Sequence, residues 1–563
     1  MLVCRATTVT DVRIGVWCQM LSGRCRRYFL RGGGGWPAWL LTGRDGSSAG
    51  HDIRRRAALI LAVAAAAAAS MAVLTSASAA PARPAGGAQR LAAGNPWSRA
   101  QEVPGTAALN KGPHEARITS VSCASAGNCS AGGFYTTEYN ATGSSTQQAF
   151  VVSEVHGRWR KAETVPGTAG LDNGHEAEIT SVSCASAGNC AAGGYYGSDG
   201  SLSGIRAFVV SEVHGRWRKA HTLRQGDGAL INSVSCASAG NCSAGGSYGV
   251  EDSGNAEAFT VSEVHGRWQK AEIVPGSFRY NDGGDARITS VSCASAGNCI
   301  AGGYFTTVSR GDTYRQEAIV VNQVHGTWQN LEEVPGTAAV NIGENAQTTS
   351  VSCSSAGNCS AGGSDGSPSG IQAFVVSEVH GSWRTAEVVP GTAALDKGGS
   401  AQITSVSCAS AGNCSAGGSY TTAYNAAGST QQAFVVTEVH GRWRTAEEVP
   451  ATAALNKAGI AQITSVSCAS AGNCSAGGSY AGGYYPKGGY FPNGRQKIQA
   501  FVVSEVHGRW QRAEEVPGTA ALSNRRGAQI TSVSCGSAGH CSAGGSYAVS
   551  KHGSTQAFVV SRK

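Results

Sequence analysis

Sixteen of the 19 cysteines in this 563-residue chain fall into eight Cys-x5-Cys pairs, the first candidates for chemistry. The first members are Cys123, Cys184, Cys236, Cys293, Cys353, Cys408, Cys468 and Cys535. Their partners are Cys129, Cys190, Cys242, Cys299, Cys359, Cys414, Cys474 and Cys541. Paired thiols either ligate a metal or oxidise to a disulfide. Zinc takes four ligands, whereas each pair offers two sulfurs and no histidine at ligand spacing. An even, regularly spaced set in an exported chain reads as disulfides, so neither a metal nor any other cofactor is expected.

Three other residue types recur with the cysteines. Seven histidines (His156, His214, His265, His325, His380, His440 and His507) could form a metal-binding or pH-sensing ring. Each stands in Val-His-Gly, however, the pattern of a two-residue hairpin turn whose central positions take positive φ. Six glutamates at the position of Glu154, with Gln323 as a seventh member, could suggest glycoside hydrolysis by carboxylate pairs. An active site is singular and these residues are not, so they read as solvated charges at strand ends. Trp159 and its equivalents could stack on sugars; the same symmetry assigns them to packing between repeats.

Residues at such intervals need a repeated scaffold. The first cysteines are 52 to 67 residues apart, and one repeat contains four strand-like runs. Run A (117–124) and run B (129–135) flank a short turn, which sets the two cysteines opposite each other at a predicted ~4.5–5.5 Å. Run C (149–155) passes through His156-Gly157 into run D (158–165), and Pro166-Gly167 closes it. Short runs of Val, Ile, Thr and aromatics bounded by Gly and Pro are strands. Four of them at this period make a propeller blade. The body opens with a lone run D (97–103) and finishes with a run C (557–561), an offset of one strand. The expectation is an all-β, eight-bladed propeller of four-stranded antiparallel blades. Its N-terminal strand pairs with the C-terminal three strands to close the ring.

Charge separates the body from what precedes it. Residues 1–80 hold ten Arg and three Asp, or +7 of the total +8, leaving a near-neutral body at +1. Such a body lacks the basic stripe that nucleic acid requires, so no nucleic-acid partner is expected. Arg54-Arg55-Arg56, an apolar run over 57–74 and Ala77-Ser78-Ala79 compose a secretory signal peptide. The expected divisions are a non-periodic extension (1–50), a signal peptide (51–80), a linker (81–95) and the propeller (96–563). A secreted, monomeric protein with no membrane segment after cleavage follows; an uncleaved anchor is the alternative.

The chain resembles the Asp-box, or bacterial neuraminidase repeat, superfamily of propellers. The likeness is carried by Ser-Val-Ser-Cys at 120–123, Cys-Ser-Ala-Gly-Gly at 129–133 and Gly-Arg-Trp at 157–159. It implies the propeller fold; members include sialidases, assembly factors and binding proteins. The box itself is degenerate here, one residue short and with Val155 where an aspartate belongs.

The A–B and C–D turns are alike and share one face of the disc, whereas the B–C and D–A loops vary and share the other. Binding is therefore expected on the loop face. The candidate residues are Tyr135, Tyr139, Tyr195, Tyr196, Tyr304, Phe305, Tyr420, Tyr424, Tyr484, Tyr485, Tyr490 and Phe491, in a paratope-like setting of Gly, Ser and Asn. No catalytic residue is assigned. The expected function is non-enzymatic binding of a glycan or protein at the cell surface. A sialidase-like hydrolase or lyase, drawing on the scattered Arg279, Asp282, Asp285 and Asp312, is the alternative, and a structural surface protein is a further one.

Overall fold

A computed structural model describes residues 96–563 apart from 112–114, 140–144, 172–175, 198–203, 224–225, 251–254, 310–312, 342–344, 368–369, 423–428, 485–495 and 551–553. The leader and linker readings lie outside the described residues, as do Tyr424, Tyr485, Tyr490 and Phe491.

In the first blade, strand A is Ala116–Ser125, strand B Asn128–Tyr139 and strand C Ser145–Val155, paired antiparallel in that order. The pattern returns in every sheet, giving an eight-bladed propeller of small antiparallel sheets. All eight disulfides join directly opposed residues. Their Cα atoms are 3.9–4.0 Å apart, closer than the expected spacing. The eighth blade takes its outer strand from the front of the chain. Gln101 and Glu102 pair with Val559 and Phe558, and Trp97 bridges Arg562, so the ring closes as the strand offset predicts.

Strand D differs from its expected form. In the first blade it is two short pieces, Arg158–Trp159 and Glu163–Thr164, both paired with strand C. Between them the Ala162 N–H leaves the blade and donates to the Pro104 carbonyl of the preceding blade at 2.7 Å. The following connection is not irregular throughout. In six blades it contains a four-residue helical turn such as Thr106–Leu109, entered through a residue with positive φ.

The recurrence of Thr-Ser-Val-Ser-Cys, broken only by Asn232 for the threonine of blade three, has a physical cause. Strand A is innermost, so one edge lacks a strand partner. Side chains of the preceding blade fill that role: Ser120 and Ser122 accept the N–H groups of Val182 and Cys184 at 3.0 and 2.9 Å. The step continues around the ring to Ser532 and Ser534, which accept from Val121 and Cys123. Thr119, bulged out of register with strand B, donates to the Ile179 carbonyl of the next blade at 2.5 Å. The Gly-Gly of strand B is equally constrained. A Cβ on Gly133 would lie 1.9 Å from the Arg117 carbonyl oxygen, and one on Gly132 would lie 2.5 Å from Ile179. The apolar clusters lie between blades: Ala557 and Val559 of the last blade pack with Ile118, Phe150 and Trp159 of the first.

Candidate functional site: an uneven inner rim

The recurring residues resolve first. All seven turn histidines have φ of 49–52° and precede a glycine of positive φ. His156 is exposed, and its backbone N–H meets the Asn128 side chain of the A–B turn. Among the described residues no group of His, Cys, Asp and Glu could hold a metal. The indole N–H of Trp268 reaches Ser211 of the preceding blade, and Trp443 and Trp510 do likewise, so the tryptophans serve packing between blades.

The glutamates are not solvated strand-end charges. Glu154, Glu212, Glu263, Glu378, Glu438 and Glu505 are all buried. Each carboxylate lies against the preceding blade: Glu212 accepts from Ser130 and Ser153, both at 2.9 Å. Glu438 accepts from Ser360 and Ser377, and Glu154 closes the ring onto Ser542 and Ser561. Burial pushes all six above the ordinary carboxylate range, opposed by hydroxyl or amide donors. These are interblade clamps. The strand-end position misled because the donors come from a repeat some 60 residues away.

The loop-face aromatics divide into two groups. Tyr135, Tyr196, Phe305 and Tyr420 are buried in blade packing. Tyr135 and Tyr420 lie 6.4–6.5 Å from the strand C phenylalanines Phe150 and Phe434. Their hydroxyls end on strand D, at Thr164 and Glu448. These rings face inward because Tyr135 shares the side of the sheet used by Ala131 and Gly133, four and two positions earlier. Tyr139 lies in strand B opposite Ser145. Tyr484 is 56% exposed. Tyr195 and Tyr304 point to the other face of strand B and belong to a cluster that the tyrosine pattern alone did not define.

That cluster lies at the loop-side end of the innermost strands. The equivalent strand A residues in blades one to eight are Arg117, Glu178, Leu230, Arg287, Gln347, Gln402, Gln462 and Gln529. Their strand B partners are Phe134, Tyr195, Ser247, Tyr304 and then serine four times. Charge and aromatic area thus occupy one half of the rim. The Arg117 guanidinium stacks 4.8 Å over Phe134 and lies 3.9 Å from Glu178 of the next blade. The Tyr195 hydroxyl donates to Glu178 and Glu176 at 3.1 and 3.2 Å. In blade four, Asp285 accepts from Arg287 at 3.0 Å and from Tyr304 at 3.1 Å. Burial raises the Glu178 carboxyl against the opposing pull of Arg117. Burial and Asp285 push the Tyr304 phenol up to about 12, and Tyr195 moves the same way beside two glutamates. Both phenols therefore stay protonated as donors at neutral pH. Further out in the same half, Phe278 and Tyr314 are each 67% exposed. Of the residues a hydrolase could draw on, Asp285 joins this rim, whereas Asp282 caps the Val308 N–H, Arg279 lies over Tyr280 and Asp312 is outside the described residues.

No protein-family model matches this chain, and no curated protein matches it in sequence. Solved propellers are similar in shape. One is Chaetomium thermophilum Sqt1 bound to the N-terminus of ribosomal protein L10, with 10% identity over 81% of this chain and 97% of that one, TM-score 0.39. Another is the N11 neuraminidase-like protein of A/flat-faced bat/Peru/033/2010, with 11% identity over 61% and 92%, TM-score 0.32. A third is a polysaccharide lyase of the PL25 ulvan lyase family, with 8% identity over 83% and 94%, TM-score 0.36. Likeness at this level carries no argument about function.

Proposed function

We propose that this is an exported, non-enzymatic propeller that binds a glycan through its loop face, at the inner rim of blades one to four. The uneven rim carries the reading. Half-buried Arg, Glu, Asp and Tyr groups, held in place by one another, suit sugar hydroxyls, and ring faces beside them suit sugar carbons. Export rests on the leader and the eight disulfides. Among the described residues no helix is long and apolar enough to cross a membrane. A protein segment is the second reading, favoured by the exposed Phe278, Tyr280 and Tyr314 beside the rim. The protein acts as a monomer in either reading.

The test replaces rim residues by those the other blades carry. Arg117→Gln, Tyr195→Ser and Tyr304→Ser together should lower retention on immobilised glycans at least tenfold. Retention equal to wild type would remove the glycan reading, and turnover of fluorogenic glycosides would return the protein to the hydrolases.

A further inference from the structure

The interblade clamps describe a site by repetition. Each consists of a strand C side chain opposite the second cysteine of its own blade and a pair of polar side chains from the blade before. Register places Glu154 opposite Cys129, Glu212 opposite Cys190 and Glu263 opposite Cys242. The same register places Arg562 opposite Cys541 in the eighth blade. Six interfaces therefore supply a carboxylate and one supplies the amide of Gln323. The interface of blades seven and eight supplies a guanidinium instead.

What surrounds Arg562 is rich in donors. Its Nη1 lies 3.5 Å from the Ser475 hydroxyl, at the limit of a hydrogen bond, and Ser475 lies 3.3 Å from Ser504. These are the counterparts of the serines that hold Glu212. The Arg562 Nε is shielded from solvent and has no hydrogen-bond partner among the described residues. Nearby acidic groups do not complete it. Glu505 is committed to Ser415 and Thr437 of blade six, and the exposed Glu514 acts only through space. Burial lowers the guanidinium pKa, against the pull of Glu514. An open cleft of about 210 Å³ lies here, lined by Asn473, Ser475, Glu505, Gly539, Cys541 and Arg562.

We propose that the cleft between blades seven and eight, on the turn face, binds a carboxylate group through Arg562, with Ser475 and Ser504 behind it. A planar guanidinium with free N–H groups takes a carboxylate through two parallel hydrogen bonds. The other interfaces show that this pocket geometry accommodates a carboxylate when the chain itself provides one. The site lies on the face opposite the proposed glycan rim and is independent of it.

Sodium acetate is the probe, compared with sodium chloride at equal ionic strength. Acetate should raise the melting temperature of the wild-type protein beyond chloride, saturating with concentration. Arg562→Gln, which copies the residue of blade four, should lose that difference. Arg562→Glu, which copies the other six clamps, should melt above wild type in chloride and gain nothing from acetate. Equal melting of the wild type in the two salts would overturn the proposal. So would an acetate gain that survives in either variant.

Discussion

At the turn side of the blades, the residue facing the preceding blade is glutamate six times, glutamine once and arginine once. At the loop side of the same blades, the inner positions run Arg117, Glu178, Leu230, Arg287 and then four glutamines. The first series is nearly uniform because each member completes a buried hydrogen-bond set whose loss leaves donors or a charge unsatisfied. The second series is uneven because no shared packing demand fixes it. Uniformity marks what holds the disc together, and unevenness marks where it can meet something else.

The largest expected effect comes from breaking the uniform side at its closure. Removing residues 96–104 deletes buried Trp97, Ala100 and Val103, together with the strand Gln101–Glu102 that pairs with Val559 and Phe558. A loss on the order of 5 kcal/mol should follow in a denaturant melt, at ~1.5–3 kcal/mol per large apolar side chain. A truncated protein that melts like the intact one would mean that this strand does not close the ring.

Next is a single clamp. Glu438→Ala leaves the Ser360 and Ser377 hydroxyls without their acceptor and should cost about 1–3 kcal/mol. Glu438→Gln should cost less, as Gln323 shows the amide to be tolerated. Because the six clamp carboxyls are raised in the folded state, the native protein holds their protons more tightly than the unfolded chain. Their contribution is full below pH 4.5 and falls as pH rises through the elevated native values. Melting temperature should therefore be higher near pH 5 than at pH 7.5, and the gap should shrink in Glu438→Gln.

Blade five sharpens the comparison. Asp365 stands where six other blades bury Tyr or Phe; it is itself buried, and neither carboxylate oxygen has a partner among the described residues. Burial pushes its carboxyl from 3.8 up to about 6. Its protonated form is favoured by folding, so stability is lost as pH rises from about 3.8 to about 6. Asp365→Phe, the residue type of blade four, should gain about 1–2 kcal/mol at pH 7 and remove that slope. A loss of stability would show that the blade has closed over the smaller side chain. The smallest effect on stability belongs to the rim: Arg117→Gln alone should move melting by less than about 1 kcal/mol, since its guanidinium side chain is 40% exposed and stands 3.9 Å from Glu178, a separation at which an ion pair contributes little. A collapse of the fold would place Arg117 on the uniform side.

Much of this was legible in the sequence, for reasons that differ by residue. The blade count and the closure followed from Cys123 to Cys535 and from the unmatched runs at 97–103 and 557–561, which depend only on order along the chain. The His-Gly turns were legible because their geometry is local. The clamps were not, since a glutamate near a strand end looks solvated until the serines of another blade are brought against it. Nearness to variable loops suggests loop-face roles for Tyr135 and Tyr420, although counting in twos from Ala131 and Ala416 turns them inward. The rim could have been found by stacking the repeats on Arg117 and Phe134, where eight otherwise matching segments disagree.

The hydroxyl steps from Ser120 and Ser122 to Val182 and Cys184 say how one blade meets another, in terms that are the same at each junction. Nothing in such a step records how many came before it. A gene that gained or lost one whole copy would keep every remaining handshake, and only the curvature of the circle would have to adjust. Copy number in this architecture is thus easy to change, while one strand held at the front and three at the back let whatever number is present still meet itself.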